Sequence, residues 1–146
     1  ASALIDDRMR QLFNKPFDKD GAMARLGEVD AGVLAALMDN PFFAVPPPKS
    51  LDRMDFHARA EVVDSLLPAN VIAALTAFTV EATCSILRYL PKRPKRWLVT
   101  GGGRSNKTMM EGFAELPGVT TRTITDDDAD ENHGVLLVQA GDARLE

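Results

Sequence analysis

Arg96-Trp97-Leu98-Val99-Thr100-Gly101-Gly102-Gly103-Arg104-Ser105-Asn106 sets the organisation of this chain. The first five residues are a short apolar strand candidate, and three glycines end it. Ser105 stands where a hydroxyl side chain caps a helix, predicted over 106–116. Val119 to Ile124 follows, rich in β-branched residues, as a second strand. Strand, glycine turn, helix and strand make an α/β arrangement with a partly parallel sheet.

The glycine run is also where chemistry is expected. Glycine has no Cβ, so a ligand reaches its backbone closely, and the next helix offers unpaired N–H groups and a positive dipole end to a phosphate or ribose. One glycine would need no more than backbone freedom. Three in a row, followed by Arg104-Ser105-Asn106, favour a ligand site. A P-loop requires Gly-x-x-x-x-Gly-Lys-Ser/Thr, and Lys107-Thr108 lacks the second glycine before it. A dinucleotide fingerprint requires Gly-x-Gly-x-x-Gly and an acid about 20 residues on. Gly101, Gly103 and Asp126 match it, but Asn106 replaces the third glycine. It stays as the weaker alternative.

Upstream, Leu4, Ile5, Met9, Leu12 and Phe13 recur at helical spacing, predicting a helix over 3–13 that Pro16 stops. Phe17-Asp18-Lys19-Asp20-Gly21 is an ordered loop before a short helical turn at 22–26. Asp18 and Asp20 have metal-ligand chemistry, yet such a pair more often caps a turn and pins the next helix. Asp30 is the N-cap of a helix over 31–39, with Val33, Leu34, Leu37 and Met38 as its stripe. Pro41 closes it, and Phe42 to Ser50 is extended, held by Pro46-Pro47-Pro48. Residues 51–60 are polar, a loop or short helix.

The longest predicted helix runs from about Asn70 to Leu90, with one broad apolar face and with Pro68 and Pro91 outside its ends. Lys92 to Arg96 is a basic connector that answers a helix C-terminus and stays solvated. Gly134 to Ala140 is a further strand candidate and 141–146 a frayed end, so 126–146 is an atypical tail on a single domain spanning 1–146.

At 146 residues and 45% apolar, the chain has the material for one packed core. A net charge of −4 argues against nucleic acid as a partner, since that binding needs a basic face. Cys84 has no second cysteine and reads as a small buried hydrophobe, which points to a cytoplasmic protein. His57 and His133 are isolated from any cysteine or second histidine, so no zinc site is expected and no metal ligand is assigned. No apolar run is expected to cross a membrane, and the N-terminus lacks the form of a signal peptide. The chain opens directly into a helical pattern, as though cut from something longer.

Four blocks in one order resemble the anhydro-N-acetylmuramic acid kinase family over residues 2–125: Ala3-Leu4-Ile5-Asp6-Asp7, Phe17-Asp18-Lys19-Asp20-Gly21-Ala22, Pro46-Pro47-Pro48-Lys49-Ser50 and Gly101-Gly102-Gly103-Arg104-Ser105-Asn106. The proline–lysine–serine block together with Phe-Asp-x-Asp-Gly is more specific than the glycine run. The resemblance implies the second lobe of an actin/hexokinase-like (ribonuclease H-like) ATPase fold, helix-rich with a small mixed sheet. It implies ATP, with Mg in the complete enzyme, opening of the anhydro ring of a muramic sugar, and phosphorylation of its 6-hydroxyl in peptidoglycan recycling. By the same resemblance Gly101, Gly102 and Gly103 approach the adenosine part of ATP, Asn106 holds the turn or a ribose hydroxyl, and Lys49 and Ser50 border the cleft.

The chain departs from the family at three places. Ala1-Ser2 stands where the family has Gly-Asn, 126–140 does not match, and Glu146 is one residue too far from Gly141-Asp142 to inherit a family acid. By the resemblance, a first lobe brings the family's Gly-Thr-Ser-x-Asp-Gly phosphate loop and a catalytic aspartate acts at the interlobe region; neither is matched in this chain, so no catalytic residue is expected in it. A C-terminal kinase lobe, inactive alone, is therefore expected. The rival class is a non-catalytic module whose lobe face binds a partner or a second copy of itself.

Overall fold

The computed structural model describes residues 2–39, 60–89, 95–99, 102–115, 120–123, 135–139 and 142–145. It is rich in helix. α1 (Ser2–Phe13) buries Leu4, Ile5 and Met9 in the core, while Leu12 from the same apolar stripe is 42% exposed. Asn14 ends the helix in the left-handed region (φ 54), a conformation that asparagine tolerates better than most side chains. The N–H groups of Asn14 and Lys15 then turn back to the carbonyls of Arg10 and Met9.

A 3-10 turn at Lys19–Gly21 leads into α2 (Ala22–Leu26), the short helix expected at 22–26. α3 (Ala31–Met38) starts at Asp30, whose carboxylate accepts the Val33 N–H at 3.0 Å as an N-cap should. Its predicted stripe faces inward: Leu37 is fully buried, and Val33, Leu34 and Met38 pack against the core.

α4 (Pro68–Cys84) is the centre of the molecule and continues as a 3-10 turn at Ser85–Tyr89. Pro68 lies inside the helix, at its start, rather than outside it. The first turn has no carbonyl to offer an N–H, so proline costs nothing there. Nor is one face buried: Val71, Ile72, Ala73, Ala74, Leu75 and Thr76 are buried in succession, because α1, α2, α3 and α5 (Lys107–Ala114) all pack on this helix. Ile72 and Leu75 are 0% exposed, each burial stabilising by roughly 1.5–3 kcal/mol. The threonines fit among apolar neighbours by satisfying themselves: Thr76, Thr79 and Thr83 donate to the carbonyls of Ile72, Leu75 and Thr79, each at 2.8 Å. Contrary to expectation, the 22 residues Pro68–Tyr89 are long and apolar enough to cross a membrane, by length and composition alone. Four helices pack on their Pro68–Cys84 part, and 47% of the apolar window is buried. Cys84 is half-buried rather than buried, on a groove between α4 and α5.

β1 (Arg96–Val99), β2 (Thr120–Thr123), β3 (Val135–Gln139) and β4 (Asp142–Leu145) lie in the order β2-β1-β3-β4. β1 is parallel to β2, with Arg96 opposite Thr120 and Val99 opposite Thr123, and parallel to β3, with Arg96 opposite Val135. β4 pairs antiparallel with β3, Leu145 opposite Leu136, in place of the frayed end expected there. Val99 is buried in the same core as the helices, so β1 delivers the glycine turn next to α1 and α5. The extended segment 42–50, residues 51–59, His57, Asp126 and His133 lie outside the described residues.

Candidate functional site

Beyond β1, Gly102–Ser105 form one 3-10 turn, closed by the Asn106 N–H on the Gly103 carbonyl at 3.0 Å. Asn106 then takes the extended backbone of an N-cap (φ −85, ψ 99), and its Oδ1 accepts the Met109 N–H at 3.0 Å. The cap is thus Asn106 and not Ser105, and the helix is Lys107–Ala114 instead of 106–116. Ser105 is consumed by the 3-10 turn, which shifts the start of the α-helix by one residue. The side-chain oxygen of Asn106 is engaged in this helix cap, while the residue's backbone N–H closes the turn. Asn106 also stands where a dinucleotide fingerprint would carry its third glycine, the residue that lets helix and strand approach.

The turn faces a cleft of about 450 Å³. Gly103, Ser105, Asn106 and Met109 line it as one wall, Pro16, Phe17, Asp18 and Asp20 as another, and Ile5, Asp6 and Arg10 of α1 complete the lining. Gly103 is a buried residue that lines the cleft, and Phe17 is 53% exposed. Three carboxylates against one guanidinium make this cleft acidic, and that guanidinium, Arg10, lies 3.2 Å from Asp7.

Asp18 is 5% exposed, and both its oxygens are engaged: Oδ1 accepts from Met23 N–H at 2.8 Å and Oδ2 from Ala24 N–H at 3.0 Å. It pins the first turn of α2, as one of its two sequence interpretations had it. Asp20 and Gly21 follow in succession in the left-handed region (φ 58 and φ 68). Gly21 is buried against α5, where its carbonyl accepts the Thr108 hydroxyl at 2.6 Å. A Cβ on Gly21 would collide with Asn106 Oδ1 and stand 2.6 Å from Thr108 Oγ1.

The structure therefore brings Gly103 and Asn106 to one cleft, with Gly102 in the same turn. Gly101, Lys49 and Ser50 lie outside the described residues. Asp6, Arg10 and Phe17 were not singled out from sequence as cleft residues. They come from the far end of the chain; Asp6 and Phe17 lie in blocks quoted for the family resemblance, and Arg10 lies in none.

A family model described as anhydro-N-acetylmuramic acid kinase matches residues 1–135. A protein of that name from Nitrobacter winogradskyi is 47% identical over 114 residues, covering 78% of this chain and 31% of the relative. Its namesake from Rhizorhabdus wittichii is 46% identical over 124 residues, covering 85% and 33%. The one from Rhodospirillum rubrum is 42% identical over 123 residues, covering 84% and 32%. The chain spans about a third of the length of these curated relatives.

Proposed function

We infer a function from one premise: this chain belongs to the anhydro-N-acetylmuramic acid kinase family. We propose that it is the C-terminal, nucleotide-binding lobe of an ATP-dependent carbohydrate kinase with an actin-like fold, its small mixed sheet presenting the glycine turn. The complete enzyme would open the anhydro ring of anhydro-N-acetylmuramic acid and phosphorylate the 6-hydroxyl, in the cytoplasm. The supporting observation is the cleft that opens on the turn, lined by Gly103, Asn106 and Phe17.

The cleft suits an adenine nucleotide in size and in the distribution of its chemistry. Gly103 gives close backbone approach, Ile5, Phe17 and Met109 give apolar surface for a base, and Ser105 and the amide NH2 of Asn106 give polar groups for a ribose. The acidic side is a poor match for a bare triphosphate. Magnesium bound with ATP would supply positive charge to offset these carboxylates. Phosphoryl transfer depends on positioning and on neutralising phosphate charge. We assign most of the phosphate grip to a first lobe, and to this chain the seating of the nucleoside.

The purified 146-residue chain is then expected to transfer no phosphate from ATP to anhydro-N-acetylmuramic acid, while a full-length relative does so in the same assay. Turnover by the chain alone, at a constant rate per molecule through successive purification steps, would overturn the division of labour between lobes.

A further inference from the structure

The nucleotide cleft has two walls that are distant in sequence, and Thr108 joins them. The wall carrying Phe17, Asp18 and Asp20 is a loop held at its base by Asp18, whose carboxylate fixes the Met23 and Ala24 N–H groups. The Gly21 N–H returns to the Asp18 carbonyl at 3.1 Å, which tightens the turn further. Two successive left-handed residues, Asp20 and Gly21, then present the Gly21 carbonyl to α5, where the half-buried Thr108 hydroxyl donates to it at 2.6 Å. Thr108 lies two residues beyond Asn106, on the helix whose N-terminus carries the glycine-turn wall. In sequence, Lys107-Thr108 looks like the tail of a P-loop, where the hydroxyl would serve a metal ion. Here that hydroxyl is spent on backbone.

α2, which follows Gly21, makes its own contact with α5. Arg25 of α2 and Glu111 of α5 form an ion pair at 2.6 Å, with both side chains more than half exposed. Glu111, like Thr108, lines the groove of Cys84 and not the nucleotide cleft, but its ion pair runs to α2 and not to the loop that carries Phe17 to Gly21. An exposed pair of this kind contributes little and sets no geometry at the site.

We propose that Thr108 is a positioning residue for the nucleotide: its bond to the Gly21 carbonyl sets the spacing between the loop wall and the glycine-turn wall. The assignment rests on the nucleotide-binding function proposed above. Preorganised spacing is what a site loses when a supporting contact goes, even with every lining residue intact.

The test is calorimetric titration of Mg-ATP into the wild-type chain and into Thr108→Val, Thr108→Ser and Glu111→Gln, with amide hydrogen exchange over residues 18–24 in each. Valine keeps the shape and removes the donor, and serine restores the donor. Thr108→Val is expected to weaken Mg-ATP binding about tenfold and to speed exchange at 18–24. Thr108→Ser and Glu111→Gln are each expected to stay within about twofold of wild type in affinity. Thr108→Val binding as tightly as wild type would overturn the assignment. So would a loss in Glu111→Gln equal to that in Thr108→Val, because the effect would then follow any loosening of α2 on α5. A wild-type chain that binds no Mg-ATP, although Thr108→Val still speeds exchange at 18–24, would overturn the nucleotide function itself and leave Thr108 as a purely structural tie.

Discussion

Gly21→Ala is expected to destabilise the chain by about 3 kcal/mol, from two costs that add at one position. The first is conformational. Gly21 has φ 68, where an L side chain costs roughly 1–2 kcal/mol. The second is crowding, because the new methyl would meet Asn106 Oδ1, with Thr108 Oγ1 at 2.6 Å and Thr108 Cβ at 2.8 Å. Neither neighbour moves cheaply. Asn106 caps the helix through the Met109 N–H, and Thr108 is bound to Gly21 itself. Overpacking of this kind costs about 1–3 kcal/mol. Thermal unfolding should therefore fall by about 10 °C for a domain of this size. An unchanged midpoint would mean that the loop does not dock on α5 as described.

Gly103→Val should do the reverse, sparing the fold and removing the ligand. Gly103 lies in a 3-10 turn with no positive φ, so its backbone accepts a side chain. The first carbon added would stand 3.4 Å from Met109 Sδ, an ordinary contact with an adaptable neighbour. The remaining methyls would take up space that the nucleoside needs. Adenosine and ATP affinity are expected to drop at least about 30-fold, while the melting temperature moves by no more than about 3 °C. Retained affinity would place the nucleotide elsewhere, and a collapse of stability would make Gly103 a folding residue only.

Local sequence went furthest where one signal acted alone. α1 and α3 were legible because each has an apolar stripe, with Pro16 beyond the end of α1 and Asp30 at the start of α3. The start of α5 was not, since Ser105 and Asn106 are both good caps and the 3-10 turn that selects between them leaves no composition signal. α4 was predicted with one apolar face, but its consecutive burial depends on how many helices surround it, which periodicity cannot count. The cleft was half legible. The glycine run marked one wall, but Asp6, Arg10 and Phe17 arrive through tertiary packing from about a hundred residues away. The Asp18 cap was readable as chemistry, whereas its partners Met23 and Ala24 needed coordinates.

The central claim is that this chain seats an adenine nucleoside at the glycine turn, and titration calorimetry with Mg-ATP, ADP, adenosine and NAD tests it directly. A nucleoside seat without a phosphate grip should bind Mg-ATP, ADP and adenosine with similar, weak affinity. NAD should bind no better than ADP, and Asp126→Ala should change none of the four. A clear preference for NAD that Asp126→Ala abolishes would contradict the claim in favour of a dinucleotide turn, and no heat from any of the four ligands would contradict it in favour of a module that binds no nucleotide.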